Sequence, residues 1–319
     1  LKVGTTLIRV STVMGILYYA VARYIQIKIG GEENKLVMNY NNVFKKNRRD
    51  EGWKDCLEDF QTVEYSYYDG NGTVLKEMTN VLQKIFIGFK ALHIKLNKSK
   101  SRQIQANKAK IGQKLLNFLG VYWIREGVNK VWTYPRKKII VTGPCEVSFI
   151  YEIQKELQNE IVPKKDVLPE NKKLLEEICE TESVCVSVRR GDFFSDTNVK
   201  SFGVCTPQFY KLAKNKMDNE LSGKNLVYYV FSDDVDWCRK NLFPVNDRNI
   251  EYVSQDMPVY ETLRLMYNCK HFILSNSTFS WWGQFLSRNK DKIVISPSKW
   301  NNDGYESVLI SKEWIKINT

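Results

Sequence analysis

Histidine is nearly absent from this sequence: His93 and His271 are the two among 319 residues. A histidine-based zinc site or a Ser/His/Asp triad therefore has too few candidates to draw on, and His271, inside the strand-like KHFIL, reads as a packed residue. Cysteine never forms a CxxC pair, and the seven present (Cys56, Cys145, Cys179, Cys185, Cys205, Cys238 and Cys269) are odd in number and widely spaced. That pattern excludes a disulfide scaffold and reads as the reduced core thiols of a cytosolic protein. The apolar opening, residues 1–31, is interrupted by Lys2, Arg9 and Arg23. It fits neither a transmembrane helix, which needs about 20 uninterrupted apolar residues, nor a signal peptide. No repeat or low-complexity stretch is visible.

Acid is missing from one long stretch. Residues 78–125 contain no Asp or Glu but carry Lys84, Lys90, Lys95, Lys98, Lys100, Lys108, Lys110 and Lys114. IFIGFKALHIKL, within it, interleaves apolar residues with lysine at near-helical spacing. Such a helix suits an anionic membrane or a lipid-linked substrate, and equally a solvated helical face. The formal net charge of the whole chain is +12, which favours anionic partners without choosing among nucleotide, nucleic acid and membrane.

The length allows two ordinary domains. A strand at 6–10, a helix over 14–28 and a strand at 35–40 make an opening βαβ unit. Residues 41–77 have no clear period and are expected to be loops and short helices. KIIVT at 138–142 is a short buried strand, and helical pattern runs over 148–160. IVPKKDVLPENK, with Pro163 and Pro169, marks the boundary, so the domains are expected at 1–162 and 163–319. In the second half strands at 184–188, 226–231, 250–253, 271–274 and 292–295 alternate with helices at 171–181, 207–220, 235–241, 260–267 and 278–287. That alternation predicts a doubly wound parallel sheet and an α/β fold class.

Polar residues gather at three of these strand ends. VCVSVRRGD ends in Arg189, Arg190, Gly191 and Asp192, which presents two guanidiniums where ligands of α/β sheets collect; a surface salt bridge is the plain alternative. FSDD places Asp233 and Asp234 after the next strand, where a carboxylate accepts from a guanine edge or a ribose hydroxyl, holds a divalent metal, or simply caps a turn. SNSTFSWWG brings Ser275, Asn276, Ser277, Thr278 and Phe279 into a helix start whose N–H groups suit a diphosphate, or which is no more than an N-cap. Trp281 and Trp282 read as core.

In this order and spacing VSVRRGDF, VCTPQFY, VFSDD and ILSNSTFSWWG resemble the α-1,2-fucosyltransferases of glycosyltransferase family eleven. The similarity is strong over most of the second half. In the first it is limited to YYAVARYIQ and GPCEVSFIYEI. The resemblance implies a GT-B-like pair of Rossmann-like domains whose parallel sheets face a central cleft, the first serving the acceptor and the second the GDP-sugar. It implies transfer of L-fucose from GDP-fucose to a galactoside hydroxyl, commonly the 2-OH, with inversion and with no metal or other cofactor. By carry-over Arg189 and Arg190 bind the diphosphate and Asp233 or Asp234 the nucleoside. Ser275, Asn276, Ser277, Thr278 and Phe279 line the nucleotide pocket. Asp192 is the candidate base.

Two positions depart from that family's pattern. Ser187 stands where a histidine usually opens the arginine motif, and VSTVMGILYY replaces a GLGNQ-type loop, with Gly15 the remaining glycine. Altered acceptor specificity is expected rather than lost activity. The partners expected are a GDP-sugar and a galactoside acceptor, with peripheral membrane contact through 78–125, a cytoplasmic location at the inner membrane face, and no nucleic acid. The competing readings are a transferase using another nucleotide sugar, a non-catalytic relative, and a basic RNA-binding protein, which lacks the usual RNA-reading motifs.

Overall fold

The computed structural model describes residues 5–9, 15–30, 34–41, 43–44, 54–69, 81–96, 104, 107–108, 110–125, 127–128, 130–134, 138–142, 146–191, 202, 204–243, 247–303 and 305–319. The chain divides into two compact units, Leu1–Glu160 and Ile161–Thr319.

The first unit holds strands β1 (Thr5–Arg9), β2 (Lys35–Asn39), β3 (Tyr65–Tyr67), β4 (Val121–Trp123) and β5 (Lys138–Thr142), with helices α1 (Ile16–Gly30), α2 (Val81–Leu96), α3 (Gln113–Phe118) and α4 (Gln154–Glu160). Every pairing is parallel, in the order β3-β2-β1-β5-β4. Helix α1 is buried along most of its length, and this is why the opening stretch is so apolar. Its one interior charge, Arg23, is neutralised by Glu160, with Nε 2.9 Å from Oε1, while Tyr19 donates to the other oxygen at 2.5 Å. A paired charge of this kind is what burial requires.

Beside β2 and β3 the carboxylate of Asp55, 3% exposed, gathers four donors. Tyr40 Oη and the Leu57 N–H reach Oδ1 at 2.5 and 2.9 Å; Tyr65 Oη and Tyr67 Oη reach Oδ2 at 2.5 and 2.9 Å. A Cβ on Gly15 would stand 2.7 Å from the Tyr40 hydroxyl. The glycine is therefore needed for close approach, and this gives the residue a structural task in the first unit.

The second unit runs α5 (Lys172–Glu180), β6 (Glu182–Val188), α6 (Pro207–Glu220), β7 (Leu226–Ser232), α7 (Val235–Asn241), β8 (Ile250–Tyr252), α8 (Val259–Asn268), β9 (His271–Ile273), α9 (Thr278–Leu286), β10 (Val294–Pro297) and β11 (Ile315–Ile317). All pairings are parallel and the order is β11-β10-β9-β6-β7-β8. Counted from β6 this is the Rossmann order, and its switch point lies between β6 and β9, where the chain leaves one side of the first strand for the other.

Strand β6 shows why both faces are covered. Val184, Val186 and Val188 pack with Phe209, Tyr210, Ala213 and Met217 of α6. Cys185, on the opposite face, packs with Ile178, Leu265, Met266 and Phe272. From Ser183 to Val188 every residue of β6 is buried, as a strand covered on two faces requires. The structure differs from the sequence expectation at the edges: β3, β4 and β11 are three-residue edge strands that the pattern does not announce, and residues 148–153 of the expected helix form a 3-10 turn. Edge strands are short and half solvated, so an alternating signal has too few residues to run on.

Candidate functional site

The strands carrying the three motifs are adjacent in the sheet, with β6 between β9 and β7. Their carboxyl ends therefore open side by side, next to the switch point. Across the switch, Ser187 Oγ and Ser280 Oγ are 2.5 Å apart, and Ser280 Oγ is 2.9 Å from Ser275 Oγ. These three buried hydroxyls join the end of β6 to the first turn of α9. Tyr210 Oη donates to the Ser187 carbonyl at 3.2 Å, and burial holds the Tyr210 phenol far above its ordinary pKa. At the position where the sequence departs from histidine, Ser187 is thus fixed from two sides.

On the other side of β6 the two arginines meet the two aspartates. Arg189 Nη1 lies 2.9 Å from Asp233 Oδ2, and the Arg190 backbone N–H donates to Asp233 Oδ1 at 2.9 Å. Asp234 is the N-cap of α7: its Oδ1 accepts from the Trp237 N–H at 3.1 Å, while its Oδ2 accepts from Arg190 Nε at 3.3 Å. The Arg190 guanidinium also lies over the Trp237 ring, 3.4 Å from its centroid, a cation–π stack. Gly191 completes the turn, since a Cβ there would meet Asp233 Oδ2 at 2.5 Å.

Exposure separates the two arginines. The Arg189 side chain is 38% exposed and that of Arg190 17%. Arg190 is held against α7, whereas Arg189, paired with Asp233, is the more exposed of the two at the end of β6. A half-exposed ion pair of this kind contributes only ~0–1 kcal/mol to stability.

The five residues of the helix-start motif also divide. Ser275 and Asn276 are 1% and 2% exposed, and both are engaged internally: Asn276 Nδ2 donates to the Trp300 carbonyl at 2.9 Å and its Oδ1 accepts from the Cys205 thiol at 3.9 Å. Burial pushes that thiol up to about 12. Thr278 is exposed, Ser277 and Phe279 are half-buried, and Ser277 Oγ caps α9 by accepting from the Phe279 N–H at 3.3 Å. Asp192 lies outside the described residues. Trp281 and Trp282 are core, each 1% exposed. His271 is packed: its Nδ1 accepts from the Ile293 N–H at 3.0 Å and its Nε2 meets Glu182 Oε1 at 2.8 Å.

The sequence reading missed Trp237 and Ser280. An aromatic three residues after an N-cap aspartate looks like ordinary helix, and only the pairing of β6 with β7 puts it under an arginine.

The family model described as glycosyl transferase family 11 matches residues 75–318. The chain belongs to glycosyl transferase family 11. Among relatives of this family-11 chain, the Escherichia coli O-antigen biosynthesis glycosyltransferase WbnK is 35% identical over 148 residues, 44% of this chain and 46% of that protein. The Escherichia coli alpha-1,2-colitosyltransferase is 36% identical over 152 residues, 46% of this chain and 50% of that protein. The match thus spans about half the length of each of these relatives. Among solved structures, NodZ alpha-1,6-fucosyltransferase soaked with GDP-fucose aligns over 89% of this chain and 93% of its own, with a TM-score of 0.50 and 11% identity. That likeness shows the fold, two Rossmann-like units of the GT-B class.

Proposed function

We propose that this family-11 chain is an inverting α-1,2-fucosyltransferase that moves L-fucose from GDP-fucose to a galactoside hydroxyl in polysaccharide or glycolipid synthesis, without a metal ion. The observation that carries the reading is the part-exposed guanidinium of Arg189 at the carboxyl end of β6, beside the switch point and the start of α9. In this reading residues 163–319 hold the nucleotide and 1–162 the acceptor. Arg189 receives the diphosphate, with Asp233 holding its fork in place, and Arg190 fixes the adjoining helix. Ser277, Thr278 and Phe279 line the pocket, and Ser275 and Asn276 support it from beneath. Each oxygen of Asp233 and Asp234 retains a second lone pair for a nucleoside donor.

The chemistry asks for such a charge. As the bond between the sugar C1 and the phosphate oxygen breaks, GDP leaves with growing negative charge, and a fixed guanidinium stabilises it by about 3 kcal/mol, roughly a hundredfold in rate. The acceptor oxygen forms the new bond to C1 from the opposite side and gives its proton to a base. Asp192, read from the sequence alone, is the proposed base. The six described cysteines are all free thiols, which supports work at the cytoplasmic face of a membrane.

The second reading is another nucleotide sugar on the same site, favoured by the relative named a colitosyltransferase. Incubation with GDP-fucose and a panel of β-galactosides, with and without EDTA, tests both. Fucosylated product at the 2-OH, unaffected by chelator, is the expected result. GDP binding without transfer would show a non-catalytic relative, and transfer from a different donor alone would favour the second reading.

A further inference from the structure

Helix α2 is apolar on two faces. One is packed: Ile87, 8% exposed, joins Leu116, Val121 and Ile140 in a cluster against the sheet, and Lys90 turns inward to donate to Gln113 Oε1 at 2.8 Å. The other is open: Val81, Leu82, Ile85, Phe89, Leu92 and Leu96 are 67, 51, 45, 68, 52 and 70% exposed. At 3.6 residues per turn these six positions fall within an arc of about 100°, roughly opposite Ile87 and Lys90. The segment packed against the Lys90 side of α2 has exposed apolar residues of its own, Ile111, Leu115 and Phe118, at 65, 41 and 50%. A concentration of exposed apolar side chains on this scale marks a surface that meets something.

Charge says what it meets. Residues 78–125 hold eight lysines and two arginines and no acid, and Lys84 on α2 and Lys110 and Lys114 on the neighbouring segment are exposed. An isologous contact with a second copy would set one such cationic surface against another, which repels. An anionic bilayer satisfies both properties: apolar side chains enter the acyl boundary while the ammonium groups meet the headgroup phosphates. Among the described residues no helix is long and apolar enough to cross a membrane, and nothing in this arrangement asks for one.

We infer that the open face of α2 docks the protein on an anionic lipid surface, with α2 lying in the plane of the interface and the lysines of the neighbouring segment adding to the attraction. This goes beyond the transfer reaction and holds whichever sugar is moved, so its failure and the failure of the transferase reading are separate results.

Vesicle flotation tests it, with phosphatidylcholine alone and with roughly a third phosphatidylglycerol. The chain floats with the anionic vesicles and not with the neutral ones, and added salt weakens the binding. Phe89→Asp with Leu92→Asp lowers partitioning roughly tenfold or more, with an unchanged melting temperature because both side chains are exposed. Lys110→Glu with Lys114→Glu also lowers it about tenfold. Equal flotation with both vesicle types, or with neither, overturns the inference. So does self-association by sedimentation that the Phe89/Leu92 pair abolishes, which makes a second copy the occupant.

Discussion

Past the ends of β6 and β7 two carboxylates meet guanidiniums, whereas beside β2 and β3 the carboxylate of Asp55 meets three phenols and an amide. The sheets are of one kind, parallel and reversing beside their first strand, so topology does not explain the difference. Exposure does. Asp55 is sealed at 3%, and burial together with its negative charge holds Tyr40 and Tyr65 well above the ordinary phenol pKa. These groups stay protonated and the network is a fixed lock. Arg189, paired with Asp233, is 38% exposed. In the first unit such a carboxylate network serves architecture; in the second it stands where the proposed nucleotide site lies.

The contrast breaks most readily at Asp55. Asp55→Ala leaves Tyr40, Tyr65 and the Leu57 N–H without this acceptor, while Tyr67 keeps Glu58. At about 1 kcal/mol or more each, the expected stability loss is about 3 kcal/mol. Urea denaturation measures it, and GDP affinity of the folded fraction stays as in the parent. A comparable loss of affinity would erase the distinction between the two sites.

Trp237→Leu removes the ring beneath Arg190. GDP binding is expected to weaken by about 1 kcal/mol, roughly fivefold, through a less well-held turn, which calorimetry reads. An unchanged affinity would remove Arg190 and α7 from the account of the site.

The smallest effect belongs to the amino end of β6, where Glu182 sits with His271, Lys224 and Lys270. The hydrogen bond from His271 is the main reason its carboxyl is lowered from 4.5 to about 2. Between those values the folded state keeps the carboxylate while the unfolded chain binds a proton, so stability rises with pH there. The contribution is present above about 4.5 and is lost as pH falls toward 2. His271→Gln flattens that slope in acid denaturation. An unaltered slope would show that the pair contributes nothing.

How much was legible followed the same divide. In the second unit the apolar runs are long and their ends are marked: Thr206 before Pro207 caps α6, and Asp234 caps α7. Both helices lie where the pattern put them. The first unit hid β3 because YSY is three residues at an edge, and hid the Asp55 lock because its members, Tyr40 just after β2 and Tyr65 and Tyr67 of β3, share no motif. The arginine and aspartate motifs could be read as a set, yet their pairing could not, since the register of β6 against β7 is a tertiary fact. The division of labour inside SNSTF was likewise invisible: Ser275 is held through Ser280, which meets Ser187, and Asn276 by Trp300, partners far away in sequence.

The central claim is that Arg189 is kept for a guanosine diphosphate and not for folding. Calorimetric titration of the parent and Arg189→Ala with GDP, UDP and CMP tests it directly. The account predicts saturable GDP binding by the parent, weaker or no binding of the other two, and a loss of about a hundredfold in Arg189→Ala, with a stability change below about 1 kcal/mol. Equal GDP affinity in both proteins, or a variant that unfolds instead of losing the nucleotide, would contradict it.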